Sequence, residues 1–406
     1  SIEEKYNIAR GKLENARQSF ENAQNEAYYQ KQESLQKKRK LLEDERTKNR
    51  NSLMDAFNNW RHESDERLEL LQKEQNRADN AVKDLHLWHP KADEVTQIKK
   101  QLQKLEVTEK GITITSSDKS GQYYGMQTLL QLFPAGIYSG DNLRIKEYPI
   151  DVLTIEDAPR FSYRGFMLDV SRTFFDLDYL RNYIDWMSSH KLNRLHLHLT
   201  DDNGWRIEIK KYPELTRKGA WRGQNELLPP TYLSGAERYG GYYTQKEMKE
   251  LIAYAQKRNV MIIPEFDLPG HARSSTAVFG DVTCGTHTDK PSACGEFDNV
   301  WCVGKESNYR ILENIIKELA DIFPSPYINI GGDEVVFDYW KQCPECQALM
   351  KKEGYKDVEE LHGHFVRRME DIIVKHGKVM MGWDDIQDHG GLRPSSTVVA
   401  WRSQKK

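Results

Sequence analysis

The chain has 406 residues and a formal net charge of −3 at pH 7, with 59 lysines and arginines against 62 aspartates and glutamates. This balance argues against nucleic acid or an anionic membrane as an electrostatic partner. No apolar run is long enough to span a bilayer, and the first residues, Ser-Ile-Glu-Glu, do not resemble a signal peptide. The length predicts two or three domains.

Residues 1–88 are predicted to be helical because they contain one glycine, Gly11, and no proline. Apolar residues recur at steps of three and four from Ile2 to Ala27, and a weaker seam runs from Leu53 to Trp88. This spacing is typical of a coiled coil. An antiparallel helical hairpin and one long rod both fit, and so does a charged, partly disordered helix. Alanine-rich seams bury little area, so we expect a partner helix and oligomerisation through this segment.

Residues 89–155 are predicted to form a small α+β domain. His89-Pro90 ends the preceding helix, because proline lacks the backbone N–H that a helix interior needs. A further helix is expected over Gln97–Leu105. The alternation of apolar and polar residues over Val107–Ser116 predicts a β-hairpin, and Gly121–Leu132 has the pattern of an amphipathic helix.

Residues 156–406 alternate between short apolar strands and helical stretches. The predicted strands are Arg164–Asp169, Arg194–Leu199, Val260–Phe266, Tyr327–Gly331, Val379–Trp383 and Thr397–Trp401. The predicted helices are Asp176–His190, Thr244–Arg258, Tyr309–Ile322 and Val358–His376. Strand–helix alternation is typical of a parallel sheet, and the fold class predicted is α/β, a (β/α)8-type TIM barrel with six strands visible.

An acidic pair follows one of these strands. The apolar run that begins at Tyr327 leads into Gly331, Gly332, Asp333 and Glu334. Glycines without side chains let a ligand approach the backbone closely, and paired carboxylates at the end of a buried parallel strand suit acid–base chemistry. A solvated polar turn fits the same four residues. Polar or aromatic residues also follow other strands: Asp169, Asp201, Asp202, Glu265, Asp267, His271, Trp383, Asp384, Trp401 and Arg402.

The five cysteines all lie in the second half of the chain. Cys284 and Cys294 flank a loop rich in Gly, Thr and Ser and are spaced to close it with a disulfide. Cys343-Pro-Glu-Cys346 is half of a redox or zinc motif, but no second CxxC exists and a structural zinc site needs four ligands. We therefore expect free or loop-closing thiols and no metal.

Five motifs include or follow the ends of the predicted strands: RGFMLDVSR at 164–172, LHLHLTDDNGWR at 195–206, IPEFDLPGH at 263–271, GGDE at 331–334 and GWDDI at 382–386. Through them the chain resembles glycoside hydrolase family 20, the chitobiase-like β-N-acetylhexosaminidases, from about Gly111 onward. The resemblance implies a retaining hydrolase that needs no cofactor and removes terminal β-linked GlcNAc or GalNAc from glycans or chitin oligosaccharides. It also implies a location outside the cytoplasm, with which the loop cysteines are compatible.

The resemblance assigns catalytic roles to four residues. Glu334 would protonate the leaving oxygen and later activate water, and Asp333 would hold the substrate's acetamido group as its oxygen attacks the anomeric carbon. His271 and Asp201 would support Glu334 and tune its pKa.

Four further residues are expected to bind substrate. Arg164 would bind sugar hydroxyls, or would only pair with a barrel carboxylate such as Asp169. His198 would face the substrate, or would be a core histidine. Trp383 and Trp401 would wall the sugar with aromatic faces, or would fill the barrel.

The chain departs from the family pattern near its end. The family's last two barrel strands are expected after Trp401, whereas the sequence stops at Lys406, so two open sheet edges are expected. The N-terminal helical segment stands where part of the family's small domain belongs and is interpreted as unrelated to it. Two alternative functions follow: a carbohydrate-binding pseudoenzyme without turnover, and an interaction protein that works through its helices.

Overall fold

The computed structural model describes residues 102–134, 149–231, 234–285, 300–390 and 392–402, with some helical positions between residues 8 and 40. The chain divides into two compact units, residues 1–90 and 91–406. In the first unit the described positions, among them 10–12 and 17–19, are helical, as predicted. The choice between hairpin and rod, and the seam that begins at Leu53, lie outside the described residues. No described helix combines the length and the hydropathy needed to cross a bilayer.

The small domain begins with a hairpin. Its described elements are β1 Gln103–Thr108, β2 Gly111–Ser116, α1 Lys119–Gln131 and β3 Leu153–Asp157, with the strands antiparallel in the order β2-β1-β3. The predicted hairpin and helix are confirmed. The helix predicted over Gln97–Leu105 is wrong from Gln103, where β1 begins, and residues 97–101 lie outside the description. Burial alternates along β1, with Gln103, Leu105 and Val107 inside, which is the period of a strand.

The larger domain alternates strands and helices. Its described elements are β4 Gly165–Asp169, α2 Leu177–Ser189, β5 Arg194–His198, β6 Thr200–Asp201, β7 Gly204–Trp205, α3 Glu214–Arg217, β8 Trp221–Arg222, β9 Tyr239–Gly240, α4 Gln245–Gln256, β10 Met261–Glu265, α5 Arg273–Phe279, α6 Glu306–Ile322, β11 Tyr327–Asn329, α7 Asp338–Gln342, α8 Pro344–Glu353, α9 Glu360–Lys375, β12 Val379–Trp383 and β13 Thr397–Val399. The six predicted strands and four predicted helices are all present, with ends shifted by a few residues.

Within the described residues, six strands form one parallel sheet in the order β4-β5-β10-β11-β12-β13, which is also their order along the chain. Helices α2, α4, α6 and α9 connect successive strands, as in a (β/α) barrel. The central strands are buried, and Leu195, Leu197, Ile262 and Ile328 belong to the hydrophobic core. The carboxyl ends of all six strands meet at one edge of the sheet, and the candidate site lies there.

The helices begin where the sequence supplies caps. Asp176 accepts a hydrogen bond from the backbone N–H of Tyr179 at the start of α2. Thr244 and Glu247 cap the start of α4 reciprocally, each side chain accepting a backbone N–H from the other residue. Such caps satisfy N–H groups that have no partner within the helix, which fixes where each helix follows its strand.

Candidate active site

The acidic pair follows β11 through a left-handed turn. Gly331 and Gly332 have φ of 67° and 89°, and Glu334 has φ of 49°. A Cβ on Gly331 would overlap the carboxylate of Asp267, and one on Gly332 would overlap Ile386. The glycines are therefore required for the protein's own packing, whereas the sequence had suggested space for a ligand. The turn leaves the side chain of Glu334 58% exposed and that of Asp333 17% exposed.

His271 lies between the acidic pair and two buried aspartates. Its Nε2 is 3.2 Å from Oε2 of Glu334 and 3.7 Å from Oδ2 of Asp333, and its Nδ1 is 3.6 Å from Asp201 and 3.7 Å from Asp202. Burial by itself would lower the pKa of His271, but the contacts with Asp201 and Asp202 outweigh burial and raise it well above its ordinary value. His271 is thus a cation that faces the two acids.

Beneath His271, a buried chain of ionisable groups crosses the strand ends. Nε2 of His198 is 2.7 Å from Oδ2 of Asp201, and its Nδ1 is 2.6 Å from Oε2 of Glu265. Glu265 also lies 2.9 Å from Nε2 of His196 and accepts a hydrogen bond of 2.8 Å from Nε1 of Trp383. These contacts join β5, β10 and β12 and connect a tryptophan at one side of the site to Asp201 at the other.

The charges in this buried chain stabilise one another. Burial would raise the pKa of Asp201 and of Glu265, but the neighbouring histidines outweigh burial and hold both well below the usual range. Burial would lower the pKa of His198, and Glu265 and Asp201 raise it well above its ordinary value. His198 is therefore a cation held between two carboxylates.

For Asp333 and Asp267, burial outweighs the neighbouring histidines, so the pKa of each is raised. Burial, followed by the charge of Glu265, raises the pKa of Asp333 to about 6 although His271 lowers it. Burial and the charge of Asp333 raise the pKa of Asp267 well above its usual range. The site thus combines carboxyls that hold a proton readily with carboxylates that remain ionised, which is the contrast that acid–base catalysis uses.

Arg172 lies at this edge of the sheet, beside Asp201. It follows β4, and its guanidinium is 2.6 Å from Oδ2 of Asp201 and 3.0 Å from Oδ2 of Asp169. Its side chain is 35% exposed although Asp201 is buried, so it can meet a ligand while it remains anchored.

The structure does not bring Arg164 to the site, and the substrate-binding role predicted for it does not fit its position. Arg164 precedes β4, at the opposite edge of the sheet. Its Nε donates to the backbone oxygen of Lys191, and its guanidinium lies 5.0 Å from the ring centroid of Tyr124 on α1. Asp169, which the sequence offered as a partner for Arg164, pairs with Arg172 instead.

His198 is a core residue, the second of the two alternatives that the sequence left open. Its side chain is 2% exposed and contacts Glu265 and Asp201. Trp383 is partly buried and its ring centroid is 5.6 Å from that of His196, at the base of the site. Trp401 is half exposed and donates from Nε1 to Oδ2 of Asp385 at 2.8 Å. The sugar-binding role of both tryptophans stays a prediction.

The sequence reasoning missed Arg172 and Glu265 as members of the site. Arg172 belongs to the motif RGFMLDVSR and Glu265 to IPEFDLPGH, and both lie at or just after the carboxyl end of a strand. In folds of this kind, catalytic residues lie at the carboxyl ends of the strands. That rule favours Arg172, which follows β4, over Arg164, which precedes it. Asp202, one of the polar residues that follow the predicted strands, accepts a hydrogen bond of 3.0 Å from the backbone N–H of Arg273, at the first turn of α5.

The chain matches models of known protein families. The family model described as "Glycosyl hydrolase family 20, catalytic domain" matches residues 161–406, well over half of the chain. The chain belongs to glycosyl hydrolase family 20. A second model, "Glycosyl hydrolase family 20, domain 2", matches residues 18–158. This match includes most of the helical segment that the sequence analysis interpreted as unrelated to the family, and the boundary proposed near residue 88 stays a prediction.

Similar family 20 proteins come from several bacteria. A β-hexosaminidase of Porphyromonas gingivalis is 40% identical over 315 residues, which are 77% of this chain and 39% of that protein. A β-hexosaminidase of Vibrio furnissii is 40% identical over 74% of this chain and 48% of that protein. The crystal structure of an exo-β-N-acetylglucosaminidase from Vibrio harveyi, in complex with N-acetylglucosamine, matches with a TM-score of 0.66 and 37% identity over 75% of this chain and 47% of that one. The chain thus spans less than half of each.

A second group of reactive side chains lies outside the acid site. Among the described residues, the thiols of Cys284, Cys302, Cys343 and Cys346 lie within 4.8 Å of one another, and all four cysteines are free. The predicted partner of Cys284 in a disulfide, Cys294, lies outside the described residues. The CxxC half-motif therefore has two further thiols beside it, although the sequence contains no second CxxC.

Proposed function

We propose that this chain carries the catalytic site of a β-N-acetylhexosaminidase, which removes terminal non-reducing β-linked GlcNAc or GalNAc from glycans or chitin oligosaccharides. The observation that carries the proposal is the contact of 3.2 Å between the exposed Glu334 and the partly buried His271. A proton donor to a leaving oxygen must reach substrate and also be held in position by a partner. Glu334 meets both conditions, because it is exposed and contacts His271.

The same geometry supports participation of the substrate's acetamido group. A retaining glycosidase ordinarily uses a second carboxylate about 5 Å from the acid as its nucleophile. The carboxylates that the structure places behind His271, Asp201 and Asp202, are buried and oriented by other partners. The remaining neighbour, Asp333, is adjacent to Glu334 in the chain and is poorly placed for the opposite face of the same bond.

We therefore assign the nucleophile to the carbonyl oxygen of the 2-acetamido group. This oxygen attacks the anomeric carbon while Glu334 protonates the leaving oxygen, and a cyclic oxazolinium intermediate forms. Asp333 accepts a hydrogen bond from the acetamido N–H and stabilises the positive charge that develops. Glu334, now ionised, removes a proton from the water that opens the ring, and the configuration at the anomeric carbon is retained.

The test is hydrolysis of 4-nitrophenyl β-N-acetylglucosaminide by the parent chain and by Glu334→Gln. We expect the variant to lose at least about a hundredfold in kcat, since general acid catalysis contributes factors of that order. Glu359→Gln, at an acid next to α9 and outside the site, is the matched control and should retain full activity. Equal background signal from the parent chain and Glu334→Gln would leave a carbohydrate-binding protein without turnover as the better description.

A second substrate tests the acetamido mechanism. The corresponding 4-nitrophenyl β-glucoside has a hydroxyl in place of the acetamido group and therefore lacks the internal nucleophile. We expect the parent chain to hydrolyse it at least about a hundredfold more slowly, given the advantage of an intramolecular reaction. Comparable rates on the two glycosides would contradict the mechanism.

Two further proposals concern the rest of the protein. We propose that residues 1–88 associate with partner helices, which the apolar seam from Ile2 to Ala27 supports. Leu13→Asp within that seam should then lower the sedimentation coefficient, and an unchanged coefficient would end the interaction proposal. The location outside the cytoplasm stays a prediction, and fractionation of source cells tests it.

A further inference from the structure

Four cysteine thiols from three separate segments meet beside the barrel. Sγ of Cys302 is 3.6 Å from Sγ of Cys343 and 3.6 Å from that of Cys346, and Sγ of Cys284 is 3.8 Å from that of Cys346. Cys302, Cys343 and Cys346 are fully buried and Cys284 is half buried. The sulfur atoms of a disulfide are about 2.05 Å apart, so these distances do not correspond to covalent pairs.

The spacing matches a metal site. Zinc binds four thiolates in a tetrahedron with Zn–S bonds of about 2.3 Å, which sets neighbouring sulfur atoms about 3.8 Å apart. The three measured separations lie within 0.2 Å of that value. A buried group of four uncharged thiols would gain little from such close contact, whereas a central cation would bind each sulfur directly.

The surrounding backbone is arranged for thiolates. The backbone N–H groups of Cys346 and Gly304 lie near the sulfurs of Cys343 and Cys302, respectively, and favour the ionised form of each. Gly304 packs so closely on the chain at Glu345 and Cys346 that a Cβ there would collide with their backbone. N–H donors around sulfur stabilise its negative charge and orient it, as the outer shell of a metal site does.

We propose that Cys284, Cys302, Cys343 and Cys346 bind one structural zinc ion. All four positions of the tetrahedron are then occupied by protein, which leaves no open position for a water or a substrate and makes the ion structural. The ion replaces the weak contacts between the thiols with four bonds across three segments.

The ion would connect the two segments that carry the acid site. Cys284 and Cys302 belong to the segment after β10, which carries His271, and Cys343 and Cys346 belong to the segment after β11, which carries Glu334. Next to the cluster, the backbone N–H of Trp301 donates to the backbone oxygen of Pro269, and Nε1 of Trp340 donates to the backbone oxygen of Trp301. The zinc ion therefore supports the relative position of His271 and Glu334.

The first test is the metal content of the full chain, expressed in zinc-supplemented medium and purified without chelators. We expect about one zinc ion per chain by mass spectrometry of the metal. Chain unfolded without metal and refolded with Co²⁺ should show the ligand-field bands of tetrahedral cobalt with four thiolates. A chain with no bound metal, with stoichiometric iron, or with disulfides among these four cysteines would overturn the proposal.

The second test uses single variants. Cys284→Ser removes the most exposed ligand and leaves the buried core intact, so the chain should fold and lose its zinc faster on dialysis against a chelator. Its apparent unfolding temperature should rise less with added zinc than that of the parent does. Cys294→Ser, at the cysteine that the proposed ligand set does not include, should behave as the parent does. Zinc retention by Cys284→Ser equal to that of the parent would refute the ligand set, whatever the hydrolase activity of either chain.

Discussion

At the scale of single residues, the site holds two side chains on unfavourable backbone. His271 and Glu334 both have φ of 49°, a conformation that costs a non-glycine residue about 1 to 3 kcal/mol. Each lies just after a strand, and the turn directs its side chain toward the other, which gives their contact of 3.2 Å. Within the site, this left-handed backbone falls on the two residues whose contact carries the proposed function.

The raised pKa of Asp333 predicts a pH effect on stability. Burial raises this pKa to about 6 from an ordinary value of 3.8, so between these pH values the folded chain binds more protons than the unfolded chain and stability falls as pH rises. Asp333→Asn has no such ionisation. The free energy of unfolding of this variant, relative to the parent, should therefore increase by about 1 to 3 kcal/mol from pH 4 to pH 8.

Urea denaturation at several pH values measures this difference. Asp338→Asn, at an exposed carboxylate five residues further on, is the control and should show a much smaller change over the same range. A difference between Asp333→Asn and the parent that does not vary with pH would show that Asp333 is not destabilised by ionisation in the folded chain.

The two arginines of the RGFMLDVSR motif predict different effects on activity. Arg172 lies with Asp201 at the site, and Arg164 lies at the opposite edge of the sheet against Tyr124. On the proposed function, Arg172→Met should lower kcat/KM about tenfold or more, since a charge-assisted hydrogen bond contributes about 1.5 to 3 kcal/mol. Arg164→Met should leave KM unchanged and lower the unfolding temperature. If Arg164→Met lowers kcat/KM and Arg172→Met does not, Arg164 is the arginine that binds substrate.

At the scale of elements, periodicity predicts the six strands of the parallel sheet, the four helices that connect them, and the hairpin and α1 of the small domain. It does not predict β3, β6–β9, α3, α5, α7 or α8. Asp176 and Thr244, the first residues of two predicted helices, cap α2 and α4. The strand Val379–Trp383 has its predicted bounds. The helix predicted over Gln97–Leu105 is wrong from Gln103 onward, because a short and mostly polar stretch does not distinguish a helix from a strand. Its last three residues also fit the alternation of a strand, and pairing with β2 and β3 on both sides decides the outcome.

We expect an alanine substitution to cost more stability at Gly331 than at Gly377, although both glycines have left-handed backbone. Gly331 and Gly377 have similar left-handed backbones, with φ of 67° and 72°, but a Cβ would collide with Asp267 at Gly331 and would meet open space at Gly377. Gly377→Ala should therefore cost only the backbone strain, about 1 kcal/mol, while Gly331→Ala should cost about 3 kcal/mol because the clash is added. Equal costs in urea denaturation would mean that the turn relaxes freely.

At the scale of the whole molecule, the sheet order followed from the sequence but the contacts across it did not. Strand–helix alternation implies parallel neighbours in chain order, which places the strand ends together. It does not specify that His198 contacts Glu265 from the next strand, or that Cys284 and Cys302 lie beside Cys343 and Cys346. Such pairings depend on register and on loop paths, which single-sequence patterns do not encode.

The open sheet predicts association of the 406-residue chain. In the part of the chain that the structure describes, β4 and β13 each pair on one side only. Phe166 on β4 is 54% exposed, so an apolar side chain accompanies a row of unpaired backbone groups. Strand edges of this kind pair with other chains unless charge or a cover prevents it. We therefore expect the sedimentation coefficient to rise with protein concentration.

A charge on the edge should weaken this association. Phe166→Lys places an ammonium beside the unpaired backbone, where a second strand would have to desolvate it, and should shift the chain toward the monomer at a given concentration. Val374→Lys, at an exposed apolar residue on α9, adds the same charge away from the edge and should leave association unchanged. If both variants sediment as the parent does, contacts elsewhere hold the chains together, and if the parent is monomeric at every concentration, the edges are protected.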